Sequence, residues 1–144
     1  MVLPLAPLAL LMLALPAAAQ EAAPTSRELA EDGVDIPEAE WRRMTAGRTV
    51  WYLIDGERWG RESYRAGTDE ATFQFPDGQC LAAYWSYEDP WFCFDFGPAM
   101  VEPVQCFRHL RWGEGIWVLG SDGDVQKVDR IDASPVACGP NVAS

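Results

Sequence analysis

The sequence predicts an all-β domain of about eight antiparallel strands, forming a meander or a small up-and-down barrel, with a short N-terminal helix and two disulfides. Three observations predict this fold class. Short segments rich in aromatic and β-branched residues recur after residue 48, turn-forming residues separate them, and several segments alternate apolar with polar side chains. Such alternation is typical of half-buried antiparallel strands. A β-sandwich is the alternative architecture for the same pattern.

Residues 1–19 have the features of a secretory signal peptide. They carry no charged side chain, contain an apolar run rich in Leu and Ala, and end in small residues before Gln20. We expect cleavage between Ala19 and Gln20, and therefore a periplasmic or secreted protein without a stable membrane anchor. An uncleaved anchor is the alternative, but three prolines and a barely sufficient apolar length disfavour a spanning helix.

The next segment, residues 20–35, is polar, Ala-rich and acidic, and we expect it to be a flexible leader. A single all-β domain with an N-terminal helix then occupies residues 36–144. The helix is predicted over 36–47, because a proline and two acids stand in its first turn, two arginines follow, and a glycine can end it. Its apolar residues Trp41 and Met44 lie three apart and are expected to dock onto the main fold.

Turn chemistry and alternation define the strands. Asp-Gly dipeptides favour tight hairpins, because glycine accepts positive φ angles. Ala71, Phe73 and Phe75 are expected to share one face of their strand, and the phenylalanines at 92, 94 and 96 to share a face of another. The predicted strands are 49–54, 59–65, 71–75, 80–86, 91–96, 104–111, 115–119 and 125–131.

The four cysteines predict two disulfides, because an even number in a short exported chain is typical of a disulfide framework. Cys93 and Cys106 would lie opposite each other across a hairpin whose turn falls in the Gly- and Pro-containing loop between them, within disulfide reach. Cys80–Cys138 then follows by elimination. The pairing Cys80–Cys93 is the second-ranked alternative. The cysteine spacing and a single histidine disfavour a zinc site, so no metal is expected.

Several short motifs occur in a characteristic order. Gly47, Thr49 and Trp51 are followed by Phe-Pro-Asp-Gly-Gln-Cys, Ala-Tyr-Trp, Trp-Phe-Cys-Phe and Gln-Cys-Phe-Arg-His-Leu, the last ending at residue 110. This series resembles a family of small secreted proteins of unknown function in Gram-negative bacteria, chiefly the alpha class of proteobacteria. The resemblance covers about 47–119, and Ala83 departs from it where a glycine is expected. It implies export and an all-β fold but no catalytic residue.

The predicted architecture is also lipocalin-like, since lipocalins are eight-stranded barrels that begin with a short helix and a Gly-x-Trp motif. Here Trp51 lies four residues after Gly47 rather than two. The similarity is therefore one of architecture only, and a fold by itself does not specify a function.

Composition limits the possible partners. The chain has 22 acidic and 11 basic residues and a formal net charge of −11, which disfavours nucleic acid and anionic membranes because their phosphates would be repelled. A basic protein or a cationic ligand is compatible with this charge. His109, the single histidine, has no recognisable nucleophile as a partner, so we expect a structural or surface role for it and no catalytic residue.

The aromatic content is the one positive functional signal. Seven Trp, four Tyr and six Phe are many for this length. They favour strand packing, but they could also line a pocket or face that binds an apolar ligand, a sugar ring or a cation. The candidate binding residues, all on predicted strands, are Trp51, Trp59, Trp85, Trp91 and Trp117.

We therefore predict a non-catalytic periplasmic binding or accessory protein for an unidentified small molecule, without a cofactor. The alternative is an acidic protein-interaction module, such as an inhibitor of a basic hydrolase. An enzyme is the third hypothesis.

Overall fold

The computed structural model describes residues 22–138 and 142–143, and the predicted signal peptide lies outside them. Its centre is an eight-stranded antiparallel barrel in up-and-down order. The last barrel strand pairs with the first, from Thr49 opposite Asp132 to Leu53 opposite Lys127, so the sheet closes. The barrel strands are β2 (Thr49–Ile54), β3 (Glu57–Tyr64), β4 (Glu70–Gln74), β5 (Cys80–Glu88), β6 (Trp91–Asp95), β7 (Val104–Trp112), β8 (Gly115–Gly120) and β9 (Val125–Asp132).

All eight predicted strands are present, with boundaries that differ by a few residues at most. The Asp-Gly turns lie where the sequence predicts them, and Gly56, Gly78 and Gly123 each adopt a positive φ angle. A short 3-10 turn, Gly97–Ala99, lies in the loop between β6 and β7. Turn chemistry and alternation thus predicted the strands of an antiparallel meander or up-and-down barrel. The structure shows that the sheet closes, and the β-sandwich alternative is excluded.

Helix α2 (Glu38–Thr45) closes one end of the barrel. Its Trp41 side chain is completely buried and contacts Tyr64 and His109 inside. The predicted docking of Trp41 is confirmed, whereas its expected companion Met44 is only half-buried and Thr45 is buried instead. Spacing of four rather than three puts a side chain directly over Trp41 in this helix, and the Thr45 hydroxyl donates to the Trp41 carbonyl at 2.9 Å.

The stretch expected to be a flexible leader is structured from Ser26 onward. Helix α1 (Ser26–Asp32) begins at Thr25, whose side chain and Glu28 form a reciprocal capping box. Strand β1 (Val34–Asp35) then pairs with β7 at Leu110 and Arg111. β1 pairs there because β7 extends beyond its pairing with β6, and its free part would otherwise present an open edge.

Apolar contacts hold α1 in place. Leu29 is completely buried against Leu110, Trp117 and Leu119, which point outward from the barrel wall. This second, smaller core lies outside the barrel, and the main core fills part of its interior. A single apolar residue in a polar helix is a weak sequence signal, which explains why this element was not predicted.

Both predicted disulfides, Cys93–Cys106 and Cys80–Cys138, are present, and the alternative Cys80–Cys93 pairing is wrong. Cys93 lies directly opposite Cys106 in the β6–β7 register, as the hairpin geometry predicts. The other bridge joins the C-terminal segment to β5, beside which a short strand β10 (Val142–Ala143) pairs in parallel. Two disulfides indicate an oxidising, extracytoplasmic compartment.

Among the helices of residues 22–138, none combines the length and apolar content needed to cross a membrane.

Candidate functional site

The barrel encloses a cavity of about 220 Å³ that opens at the end opposite helix α2. In an up-and-down barrel, alternate hairpins lie at the same end, so the β2–β3, β4–β5, β6–β7 and β8–β9 connections surround the mouth. Apolar side chains from seven strands and from the β4–β5 and β6–β7 connections form most of the wall. They are Tyr52, Ile54, Trp59, Phe73, Phe75, Leu81, Phe94, Phe96, Met100, Phe107 and Val118.

Strand alternation places these rings inside the barrel. Phe73 on β4 and Phe75 just after it share one face, as predicted, and that face points inward. Phe94 on β6 and Phe96 just after it also share an inward face. Gly60 on β3 makes room for this packing, because a Cβ atom there would lie 2.4 Å from Cζ of Phe73. The aromatic wall therefore depends on a position without a side chain.

The mouth is polar and acidic. Asp122 and Asp124 from the β8–β9 hairpin line it together with Gln105 and Gln126. The Asp122 carboxylate accepts a hydrogen bond from the Asp124 backbone N–H at 3.0 Å, which holds the tight turn. The hairpin predicted from its Asp-Gly dipeptide thus also places two negative charges beside the opening.

Glu62 is the unusual residue of the interior. It projects from β3 into the cavity and is only 5% exposed, and its Oε1 atom has no hydrogen-bond partner among the described residues. Burial raises the pKa of Glu62 to about 7, and the neighbouring Tyr64 hydroxyl partly offsets this rise. A carboxyl group that is half-ionised near neutral pH and faces an open cavity can accept a cation or exchange a proton.

His109 lines the same cavity from β7 and is only 2% exposed. Its ring stacks on Trp41 with centroids 3.9 Å apart and meets the edge of Phe92 at 4.5 Å. Burial lowers the pKa of His109 to about 3, so the imidazole is neutral under physiological conditions. Its Nδ1 atom has no partner, and His109 therefore combines a packing role with a neutral polar group in the cavity.

Two tyrosines complete the polar layer around Glu62. Tyr52 on β2 and Tyr64 on β3 are both buried, and burial, together with the nearby Glu62 carboxylate, raises the pKa of each hydroxyl well above its usual value. Both phenols thus remain protonated and can donate hydrogen bonds. The interior is therefore an apolar cavity with a small, uncharged or anionic polar layer near its base.

The five predicted binding tryptophans do not converge on this cavity. Trp59 alone lines it, at the mouth, where it is 38% exposed. Trp85 is buried in the main core with the Arg42 guanidinium 4.0 Å from its ring centroid. Trp91 is half-buried opposite Glu88 at the far hairpin, and Trp117 lies in the outer core beneath α1.

Trp51 lies on the outer face of β2, among arginines. The guanidinium groups of Arg130, Arg61 and Arg58 lie 4.0, 4.7 and 5.6 Å from its ring centroid. Such cation–π contacts stabilise the outer wall, since a charged group over an indole face is attracted by the ring quadrupole. Trp51 is therefore an exterior packing residue rather than part of the cavity.

Glu62 was not among the candidate residues, although the sequence contains a signal for it. In β3 the alternate positions 60, 62 and 64 are Gly, Glu and Tyr, and Tyr64 is an apolar ring that must face the core. Alternation then places Glu62 on the same inward face. A charged residue on the buried face of a strand is the exception that indicates a functional group.

No group of three or more His, Cys, Asp or Glu side chains with metal-holding geometry occurs within the described ranges. No family model matches the chain, and no curated protein or solved structure shows a significant match. The cavity, its aromatic wall and its buried carboxyl group are the structural features that bear on function.

Proposed function

We propose that this protein is a non-catalytic periplasmic binding protein that takes a small, mostly apolar molecule into the barrel cavity. The observation that supports this function best is the aromatic cavity of about 220 Å³, open at one end of a barrel whose other end is closed by Trp41. Protein interiors are otherwise close-packed, so an unfilled volume of this size is a feature to be explained. Export by residues 1–19 agrees with the oxidising compartment that the disulfides indicate.

The size of the cavity limits the ligand. A dry apolar cavity of about 150 Å³ accommodates benzene. The present cavity therefore suits a molecule with one aromatic ring and a short substituent rather than a fatty acid or a large cofactor. The Trp59 ring at the mouth would contact the bound molecule on entry.

A second candidate function, inhibition of a basic hydrolase, is favoured by the β6–β7 loop. Val101 at its tip is fully exposed, Glu102 beside it is exposed, and the Cys93–Cys106 bridge braces the two strands that carry the loop. Together with the net charge of −11, this loop could dock to a basic protein. We rank this function second because it leaves the cavity unexplained.

The test uses 2-phenylethanol, a neutral single-ring probe, in an NMR titration of the ¹⁵N-labelled oxidised protein. We expect saturable one-to-one binding, with shifts concentrated in residues that line the cavity. Leu81→Trp, which fills the cavity, should abolish these shifts, because the added ring occupies the ligand volume.

Leu53→Trp is the matched control, since Leu53 is a half-buried residue of β2 that does not line the cavity. Circular dichroism would confirm that both variants fold. The proposal fails if the wild-type protein shows saturable shifts with neither this probe nor its amine analogue phenethylamine, or if the two tryptophan variants bind the probe equally well.

A further inference from the structure

The charges around the cavity all have one sign. Its charged lining residues are Glu62 at depth and Asp122 and Asp124 at the mouth, and neither Lys nor Arg lines it in the part of the chain that the structure describes. The eleven basic residues of the sequence therefore lie away from the cavity lining. A cavity of this kind attracts cations and repels anions before any contact forms.

Among the residues that the structure describes, none supplies a counter-ion to Glu62. The Tyr52 hydroxyl from β2 and the Tyr64 hydroxyl from its own strand lie near it. The neutral His109 lines the same cavity from β7, and Asp122 and Asp124 line the mouth. None of these carries a positive charge near neutral pH. Burying a carboxylate without a compensating charge is unfavourable, and pairing it with a cation removes much of that penalty.

The aromatic wall adds a second preference for the same charge. Phe73, Phe94 and Phe107 line the same cavity as the Glu62 carboxyl group, and the faces of such rings attract cations through their quadrupole. An anionic head group would be repelled by both the ring faces and the three carboxylates. A neutral molecule would gain only apolar burial and hydrogen bonds to the polar layer.

We propose that the cavity binds a small organic cation, a protonated amine on a compact apolar body, with its ammonium group donating to the Glu62 carboxylate and its apolar part against the phenylalanine rings. This inference rests on the proposed binding function and names the chemical class of its ligand. Asp122 and Asp124 draw the cation to the mouth, and His109 offers a neutral imidazole that does not compete for the carboxylate.

The test compares three probes that share one ring and differ in the head group: phenethylamine, 2-phenylethanol and 3-phenylpropanoate. At pH 8 we expect the amine to bind about ten- to a hundredfold more tightly than the alcohol, the range of a charge-assisted hydrogen bond, and the carboxylate not to bind. Glu62→Gln should remove the preference for the amine, so that the ratio of amine affinity to alcohol affinity falls to about one.

Glu57→Gln is the matched control, because Glu57 is an exposed residue of the same strand and does not line the cavity. It should retain the full preference. Measuring the affinity of wild-type protein for the amine as a function of pH tests the role of Glu62 without a substitution. Affinity should fall below pH 7 as Glu62 takes up a proton, while alcohol affinity does not fall.

The outcomes separate the two proposals. If the alcohol binds but the amine binds no more tightly in the wild-type protein, the inference of an amine ligand is wrong and the binding function is retained. A preference that persists in Glu62→Gln also overturns the role of this carboxylate. If no probe binds, the proposed binding function itself is wrong.

Discussion

Glu62 and His109 share one barrel interior, yet burial moves their pKa values in opposite senses. Desolvation disfavours the charged form of each group, so the pKa of the carboxyl group rises to about 7 and that of the imidazole falls to about 3. Both groups are therefore largely uncharged in mildly acidic solution. At neutral pH and above, the interior gains a negative charge at Glu62 alone, which is the condition under which a cation binds best.

The raised pKa of Glu62 predicts a measurable effect on stability. Unfolding returns the pKa from about 7 to its ordinary value of 4.5, so this group stabilises the fold below pH 4.5, and the contribution is lost as pH rises to 7. Glu62→Gln lacks this loss. The difference in the free energy of unfolding, variant minus wild type, should therefore grow by about 3 kcal/mol as pH rises from 4.5 to 7. Urea denaturation at half-unit pH steps would measure this difference.

Comparing variant with wild type cancels the opposing effect of His109, whose lowered pKa removes stability as pH falls from 6.5 toward 3. Glu57→Gln, on the exposed part of the same strand, is the matched control for removing a carboxyl group from β3. If the difference in the free energy of unfolding between Glu62→Gln and wild type stays constant from pH 4.5 to 7, this carboxyl group is not buried as described.

Elements outside the barrel cover surfaces that the barrel alone would expose. Strand β1 pairs with the free part of β7, and Asp35 accepts two hydrogen bonds from the Arg108 guanidinium, at 2.8 and 2.7 Å. The α1 helix buries the outward-facing apolar side chains of β7 and β8. The bidentate Arg108–Asp35 pair and the apolar contacts of Leu29 make α1 and β1 part of the folded domain rather than a flexible leader.

A test of this docking is Leu29→Ala. Because Leu29 is completely buried against Leu110, Trp117 and Leu119, its truncation should lower the free energy of unfolding by about 2–5 kcal/mol. Chemical denaturation of the oxidised protein would measure it. Arg27→Ala, on the exposed side of the same helix, should change stability by less than about 0.5 kcal/mol. Equal, negligible effects of both variants would indicate the flexible leader that the sequence suggested.

At the scale of the whole molecule, the two disulfides differ in what they connect. Cys93–Cys106 joins adjacent barrel strands, whereas Cys80–Cys138 fastens a C-terminal segment that runs outside β3 and β4. That segment is also held by hydrogen bonds from the Gln74 side chain to the Ala137 carbonyl, at 2.8 Å, and from the Val136 N–H to the Ser63 hydroxyl, at 3.3 Å. Losing the second bridge therefore leaves the barrel closed.

We predict that Cys93→Ala/Cys106→Ala costs more β-structure than Cys80→Ala/Cys138→Ala. Chain entropy assigns about 3 kcal/mol to the shorter loop and about 4 to the longer one, so the expected order depends on location in the barrel and not on loop length. Far-UV circular dichroism during thermal unfolding would compare the two variants. A larger loss of β-signal in Cys80→Ala/Cys138→Ala would mean that the C-terminal segment, rather than the β6–β7 pair, holds the barrel together.

Local rules account for the parts of the fold that were predictable from sequence. Period-two alternation set the inward faces of β4 and β6, and Asp-Gly turns placed the hairpins. The opposition of Cys93 and Cys106 followed from hairpin symmetry around their loop. Each of these features depends on residues close in sequence, so it can be predicted from the sequence of one strand or one hairpin.

Barrel closure and the candidate site depend on contacts between distant residues. Tryptophan content predicted a binding face, yet only Trp59 of the five candidates lines the cavity in the part of the chain that the structure describes. Inward or outward orientation depends on the register of each strand and on the bulges in β3 and β9, the two strands that pair with β2. Sequence alone thus determined the strands, the turns and the disulfide pairs of this protein. The tertiary structure decided the cavity and the isolation of Glu62, because an unfilled volume and a missing counter-ion arise only when eight strands enclose one space.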